Sequence, residues 1–207
     1  RNAESLEVDW AELASAQPDI SMHLADAPKE LLPILDTVAY DFVLALFPNY
    51  REIKQTVRVR VFSLVVQDAL RELRQVHLGR LVRVAGIVTR RTDIYPELKS
   101  VKFNCGSCQR IVGPITVIKP SDRPRKCPHC DRGGPFTLNV GQTLYGNFQK
   151  ITLQESPGTV PAGRVPRTKD VVLTGDLIDS CRPGEEIEVT GVFTHQFDSG
   201  LNRLTGF

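Results

Sequence analysis

Two pairs of cysteines constrain this chain more than any other feature. Cys105-Gly-Ser-Cys108 and Cys127-Pro-His-Cys130 are CxxC motifs with 18 residues between them. A CxxC segment bends into a knuckle that turns two thiolates toward one point, and two knuckles complete a tetrahedron. Gly106 and Pro128 suit the tight turns, and the intervening residues can form a small hairpin. Four thiolates leave no open coordination position, so the spacing predicts a structural Zn2+ rather than a catalytic one. Such a metal supplies folding free energy to a module too small for its own core. Two disulfides would need an oxidising compartment, which nothing in the sequence indicates. Four-cysteine iron–sulfur clusters commonly use other spacings. His129 lies inside the second knuckle, but Cys130 completes the ligand set, so His129 is expected to face solvent. Cys181, alone beside Arg182-Pro183, reads as a partly buried structural thiol.

The net charge of +2 hides an uneven distribution. Residues 1–50 carry 2 basic and 9 acidic side chains, and residues 51–100 carry 11 and 5. Residues 101–150 carry 8 and 2, and residues 151–207 carry 5 and 8. A basic middle between acidic ends suits a polyanionic partner better than the overall charge does. Lys99, Lys102, Arg110, Lys119, Arg123, Arg125, Lys126 and Arg132 surround the cysteines, opposed by Asp122 and Asp131. That suits phosphate contact or an acidic neighbouring subunit. The longest uncharged apolar stretches, Val61 to Val66 and Phe42 to Phe47, fall far short of the roughly 20 residues a membrane span needs. No membrane partner is expected. The start of the chain lacks the pattern of a signal peptide. It begins without Met and stops at Phe207, which suggests a segment of a longer protein.

The first third reads as a helical bundle with an acidic surface. Asp26-Ala27-Pro28 is a helix-start signal, with Asp26 as the capping side chain. Leu31, Leu35, Val38, Phe42 and Leu46 recur at helical spacing, Pro33 lies early enough to be tolerated, and Pro48 closes the helix. Trp10 to Leu24 reads as a shorter helix broken near Pro18. Val57 to Val61 alternates apolar and basic residues as a strand does, and Gln67 to Val76 is expected to be a short helix. Strands are expected over Leu81 to Thr89, Leu98 to Asn104, Gln149 to Glu155, Val171 to Leu173 and Glu186 to Phe197. Turns are marked by Pro183-Gly184 and Ser199-Gly200. About five strands with an inserted module fit an OB-fold barrel.

Motifs of catalysis are missing from the sequence. It contains no GxxxxGK[ST] phosphate loop, HExxH pair, nucleophile elbow or paired-carboxylate constellation. His23, His77, His129 and His195 are scattered, and no residue is assigned a catalytic role.

An ordered set of stretches resembles the N-terminal region of the minichromosome maintenance (MCM) replicative helicases. It comprises Leu73-Arg-Gln-Val-His-Leu-Gly-Arg-Leu81, Gly86-Ile-Val-Thr-Arg90, the two cysteine pairs, Gln149-Lys-Ile-Thr-Leu-Gln-Glu-Ser-Pro-Gly158, Ala162-Gly-Arg-Val-Pro-Arg167 and Pro183-Gly-Glu-Glu-Ile-Glu-Val-Thr-Gly191. Gly134-Pro-Phe136 and Asp179-Ser-Cys181, with two of these stretches, resemble most the second-subunit branch of the eukaryotic heterohexamers. The resemblance implies an α+β multi-subdomain fold: a helical bundle over 1–76, an OB-fold β-barrel over 77–101 and 140–207, and an inserted four-cysteine zinc ribbon over 102–139.

It also implies two functional loops. Gln154, Glu155, Ser156, Pro157, Gly158, Arg164 and Arg167 match a loop that relays the state of an ATPase motor tier. His195, Gln196, Asn202 and Arg203 match a hairpin pointing into a DNA channel. Relatives often place several basic residues there, whereas this hairpin has Arg203 alone, with Asp198 opposing. Tyr95 and Glu97 are expected in a turn where DNA-gripping relatives tend to be basic. The motor, with its ATP and Mg2+, is not part of this chain. The parent protein would be an ATP-dependent helicase, although this segment is not itself an enzyme. Implied partners are other MCM subunits in a heterohexameric ring, a second ring head to head, and single- and double-stranded DNA bound without sequence preference, in the nucleus. A different reading is a stand-alone single-stranded DNA binder resembling a replication protein A subunit. Such binders stack bases on exposed aromatics, for which Tyr95, Tyr145, Phe148 and Phe197 are the main candidates here.

Overall fold

A computed structural model describes residues 4–54, 56–116 and 124–195. It divides into two compact units, one of residues 1–89, 152–169 and 183–207 and one of residues 90–151 and 170–182.

The first unit starts with strand β1 (Ser5–Asp9) and helix α1 (Trp10–Ala16). Asp9 caps α1, its Oδ1 accepting the Ala11 N–H at 2.8 Å. Gln17 interrupts the chain before helix α2 (Pro18–Asp26), as expected near Pro18. Helix α3 (Pro28–Leu46) begins with Pro28 in its first turn, where a missing N–H costs nothing. The expected cap differs. The residue before the helix is Ala27, without a side-chain cap, and Asp26 instead ends α2 and pairs with Arg80 at 3.3 Å. Helix α4 (Tyr50–Ile53) follows, then strand β2 (Arg58–Phe62), parallel to β1 with Glu7 opposite Arg60.

Trp10, Leu24 and Leu64 form the buried centre of this region, with Leu31, Leu32 and Leu35 of α3 against it. Only the first half of the α3 stripe is covered, because Val38, Phe42 and Leu46 stay exposed. Asp36 ties the helix to β2 by accepting the Val59 N–H at 2.6 Å. No described helix is long and apolar enough to cross a membrane.

Residues 67–76 do not form the expected helix. Glu72 N–H bonds to the Ala69 carbonyl, and a 3-10 turn occupies Gln75–His77. Leu70 and Leu73 bury their side chains from turns, and Asp68 bridges to Val84. A ten-residue stretch gains little from helix nucleation, so tertiary contacts decide its shape.

Beyond it run β3 (Leu81–Arg91), β4 (Tyr95–Cys105), β5 (Ile111–Thr116), β6 (Phe136–Leu138), β7 (Leu144–Gln154), β8 (Thr168–Thr174) and β9 (Glu186–Val192). Among the described residues β9 pairs with β3 in the first unit, and β5, β6 and β7 pair with β4 in the second. Val82, Val84 and Val88 alternate inward along β3. Gly86 sits in the same row. A Cβ there would lie 2.4 Å from the Gln154 carbonyl oxygen, so only glycine allows this approach. β9 pairs antiparallel with β3 from Leu81 opposite Val192 to Ile87 opposite Glu186. On that pair Arg83 grips Glu188 with two hydrogen bonds, of 2.5 and 2.8 Å. The Pro183-Gly184 turn forms as expected, with Gly184 at φ +90° and its N–H on the Val88 carbonyl at 2.7 Å.

In the second unit, Tyr95 and Glu97 belong to β4 rather than to a turn, opposite Phe148 and Gly146 of β7. Cross-strand packing of the Tyr95 and Phe148 rings, with centroids 5.9 Å apart, extends the ladder to that point. Gln149, on β7, is fully buried. Its amide donates to the Thr92 carbonyl and to Asp179 Oδ1, and accepts the Asp179 N–H at 2.9 Å.

Candidate metal centre and the loop of residues 155–167

The metal centre is built on the end of the long strand β4 and on the shorter β5 and β6. β4 ends at Cys105, β5 pairs with it through Asn104 opposite Ile111, and β6 pairs through Cys105 opposite Phe136. Both knuckles close with the same backbone pattern. Cys105 N–H bonds to the Arg110 carbonyl at 3.0 Å, and Gln109 N–H returns to the Cys105 carbonyl at 2.8 Å. Cys127 N–H bonds to the Arg132 carbonyl at 3.1 Å, and Asp131 N–H returns to Cys127 at 2.9 Å. Gln109 and Asp131 occupy equivalent places and both adopt left-handed backbone, at φ +56° and +54°. Gly106 serves close approach rather than an unusual backbone angle, since a Cβ there would meet the Pro135 ring at 2.8 Å.

The sulfurs come together as expected. All four lie within 4.8 Å of one another, with Cys105 and Cys130 at 3.8 Å and Cys108 and Cys127 at 3.7 Å. Sulfurs placed about 2.3 Å from a tetrahedral metal stand roughly 3.8 Å apart, whereas disulfide sulfurs stand about 2.05 Å apart. The cysteines are free thiols, so the set fits a four-thiolate metal. The N–H groups of Cys108 and Ser107 pull the Cys105 thiol down to about 6 against its burial. The Arg132 N–H pulls Cys130 down as well, but burial and the other three sulfurs outweigh it and raise Cys130 to about 11. Four sulfurs this close, two of them buried, cannot all be anionic side by side without a cation among them. The exposed His129 contributes its backbone N–H to Cys127 Sγ at 3.5 Å. Cys181 is buried and stands outside this cluster.

The seven loop residues lie as follows. Gln154 ends β7, and Glu155 is buried at the base of the excursion. The Glu155 N–H bonds to the Arg167 carbonyl at 3.0 Å, and the Arg167 N–H bonds to Glu155 Oε2 at 3.0 Å, closing the base. Ser156 donates to Glu186 Oε1 at 2.6 Å, Pro157 and Gly158 start a 3-10 turn, and Arg164 and Arg167 are exposed. Arg71 completes the base by pairing with Glu155 through its side chain. Sequence reasoning missed Arg71, because nothing local marks a partner 84 positions away.

Of the channel-hairpin residues, His195 is exposed, whereas Gln196, Asn202 and Arg203 lie outside the described residues. So do Lys119, Arg123, Phe197 and the Ser199-Gly200 turn.

These features define an OB-fold chain that carries a ribbon of four clustered cysteines able to hold a metal, with a helical segment ahead of it. The chain belongs to the minichromosome maintenance family. Residues 1–63 match the MCM N-terminal domain and residues 69–197 match the MCM OB domain. It is an MCM2-like N-terminal region. Over its whole length it is 48% identical to the DNA replication licensing factor MCM2 of Oryza sativa subsp. japonica, and 44% identical to that of Drosophila melanogaster. It covers 22% and 23% of those proteins, respectively. Across 97% of the chain it is 30% identical to the minichromosome maintenance protein MCM of Saccharolobus solfataricus, covering 30% of that protein.

Proposed function

We propose that the chain is the DNA-encircling, ring-organising N-terminal region of a hexameric replicative helicase subunit that acts in origin licensing and fork unwinding. The observation that carries the reading is the run of two MCM descriptions, N-terminal and OB, along one chain. Its relatives are named as replication licensing factors. ATP and Mg2+ act in a motor domain outside this chain. Other MCM subunits complete the ring, a second ring docks head to head, and the assembly works in the nucleus.

In this reading residues 1–76 form the helical subdomain, 77–101 and 140–207 the OB subdomain, and 102–139 the ribbon. Zn2+ fills the site of Cys105, Cys108, Cys127 and Cys130 and holds the ribbon folded, a role supported by a donor set of four thiolates. DNA passes the hairpin of His195, Gln196, Asn202 and Arg203 as a polyanion held by its phosphates. The loop from Gln154 to Arg167 meets the motor tier.

Exposed Tyr95 and Tyr145 keep the replication protein A-like reading in play, since bases can stack on such rings. A graft separates the two. The chain would replace the matching segment of the Drosophila melanogaster MCM2, and the chimera would be purified with the other MCM subunits. Incorporation into a six-membered ring that retains DNA is expected. A chimera that stays outside the ring, while the isolated chain binds single strands tightly as a monomer, overturns the proposal.

A further inference from the structure

A surface pocket of the first unit gathers four arginines. Its walls are Arg71, Glu72, Arg74, Arg164, Val165 and Arg167, around a cavity of about 510 Å³. Two of the guanidinium groups are oriented by the protein itself. Arg71 is fixed by Glu155, and Arg74 Nη1 donates to the carbonyls of Arg71 and Leu73 at 2.5 and 2.9 Å. Arg167 Nη1 reaches the Arg71 carbonyl at 3.5 Å, and its backbone is anchored on Glu155. The exposed Arg164 side chain has no partner among the described residues. Arg74, Arg164 and Arg167 therefore keep unused N–H groups at the pocket, held by a rigid base.

Charge and shape select the ligand. Four guanidinium charges face two carboxylates, Glu72 in the wall and Glu155 beneath it, which leaves an excess of two positive charges. A phosphate monoester carries about −1.5 to −2 charges and three strong acceptor oxygens, and planar guanidinium groups bind such oxygens in pairs. A nucleic-acid strand spreads single charges along its length and needs a basic track, whereas these cations converge on one concavity. Val165, 83% exposed at the pocket, offers apolar contact to residues flanking a phosphate.

We propose that this pocket binds a phosphorylated serine or threonine side chain of an extended peptide. The assignment is argued from the pocket alone, and two of its residues, Arg164 and Arg167, belong to the loop that the proposed ring sets against the motor tier. The test is fluorescence anisotropy of the full 207-residue chain with a labelled Gly-Ala-phosphoserine-Ala-Gly peptide, with its unphosphorylated twin as control. Inorganic phosphate and a short oligothymidylate serve as competitors.

Saturable binding of the phosphopeptide alone is expected, displaced by inorganic phosphate. Arg164→Glu and Arg74→Glu should each weaken it by at least about tenfold, the loss expected for one charge-assisted pair. The Arg164 side chain is exposed and bonds to no described residue, so the melting curve of Arg164→Glu should match that of the parent chain. Equal binding of the unphosphorylated peptide, or affinity unchanged by both substitutions, overturns the proposal. Displacement by oligothymidylate at lower concentration than by the phosphopeptide overturns it too, and marks the arginines as a nucleic-acid contact.

Discussion

Arg71 meets Glu155 through two parallel hydrogen bonds, Nε to Oε1 at 2.9 Å and Nη2 to Oε2 at 2.7 Å, between side chains that are 17% and 5% exposed. The pair staples the segment before β3 to the end of β7 and fixes the base of the 155–167 loop. A bidentate guanidinium–carboxylate pair at this depth is costly to break from one side, because the remaining charge is left buried.

Glu155→Gln should therefore destabilise the chain by about 3 kcal/mol at neutral pH, measured by urea unfolding. Hydrogen bonds from Arg71, with the Arg167 N–H assisting, hold the Glu155 carboxyl at about 2 despite its burial. The folded value lies below the ordinary value of 4.5, so the stabilisation is complete above that pH and disappears as pH falls toward 2. Stability of the parent chain should drop over this window more steeply than that of Glu155→Gln. Parallel curves would show that the pair does not carry the linkage.

Elemental analysis of reduced protein purified without chelators should give one zinc per chain. Cys127→Ser should release the metal and expose the amides near residues 103–136 to hydrogen exchange, while the helical circular dichroism of α1 to α3 persists. Stoichiometry near zero would remove the zinc assignment.

Gln149 is bonded through both ends of its amide to Thr92 and Asp179, and Asp179 sits in left-handed backbone at φ +60°. Gln149→Leu keeps the approximate size and leaves the Thr92 carbonyl and the Asp179 N–H without their side-chain partner, while Asp179 Oδ1 keeps Arg91 at 3.1 Å, so it should cost about 1 kcal/mol. A loss below a few tenths of that in thermal unfolding would mean the Asp179 turn holds itself.

The isolated chain should not hydrolyse ATP, as it has no phosphate-binding loop. Turnover that follows the protein at constant specific activity through successive columns would contradict this.

DNA binding by the isolated chain should be weak, indifferent to sequence and steeply salt-dependent, because its excess Lys and Arg would act through phosphates. Arg203→Ala should change monomer binding little and matter in a ring, where contacts repeat at high effective concentration. Nanomolar monomer affinity at physiological salt would refute both statements, as would a preference among DNA sequences.

The metal set was legible in the sequence because its information is local. Two CxxC spacings fix which sulfurs can meet, and the sulfurs do meet. The long helix, its proline start and most strands were legible for the same reason, since periodicity and proline act within a few residues. Where long-range packing governs, sequence alone fell short. Residues 67–76 carry helical spacing, yet burial of Leu70 and Leu73 and the Asp68 bridge hold them as turns. Tyr95 and Glu97 read as a turn until cross-strand partners drew them into β4. The left-handed backbone at Gln109 and Asp131 carries no glycine to announce it. Arg71, Arg74, Arg164 and Arg167 are ordinary surface-type residues in one dimension. They become one charged pocket only because a buried carboxylate draws distant backbone segments together, and that free energy depends on separation in space rather than along the chain.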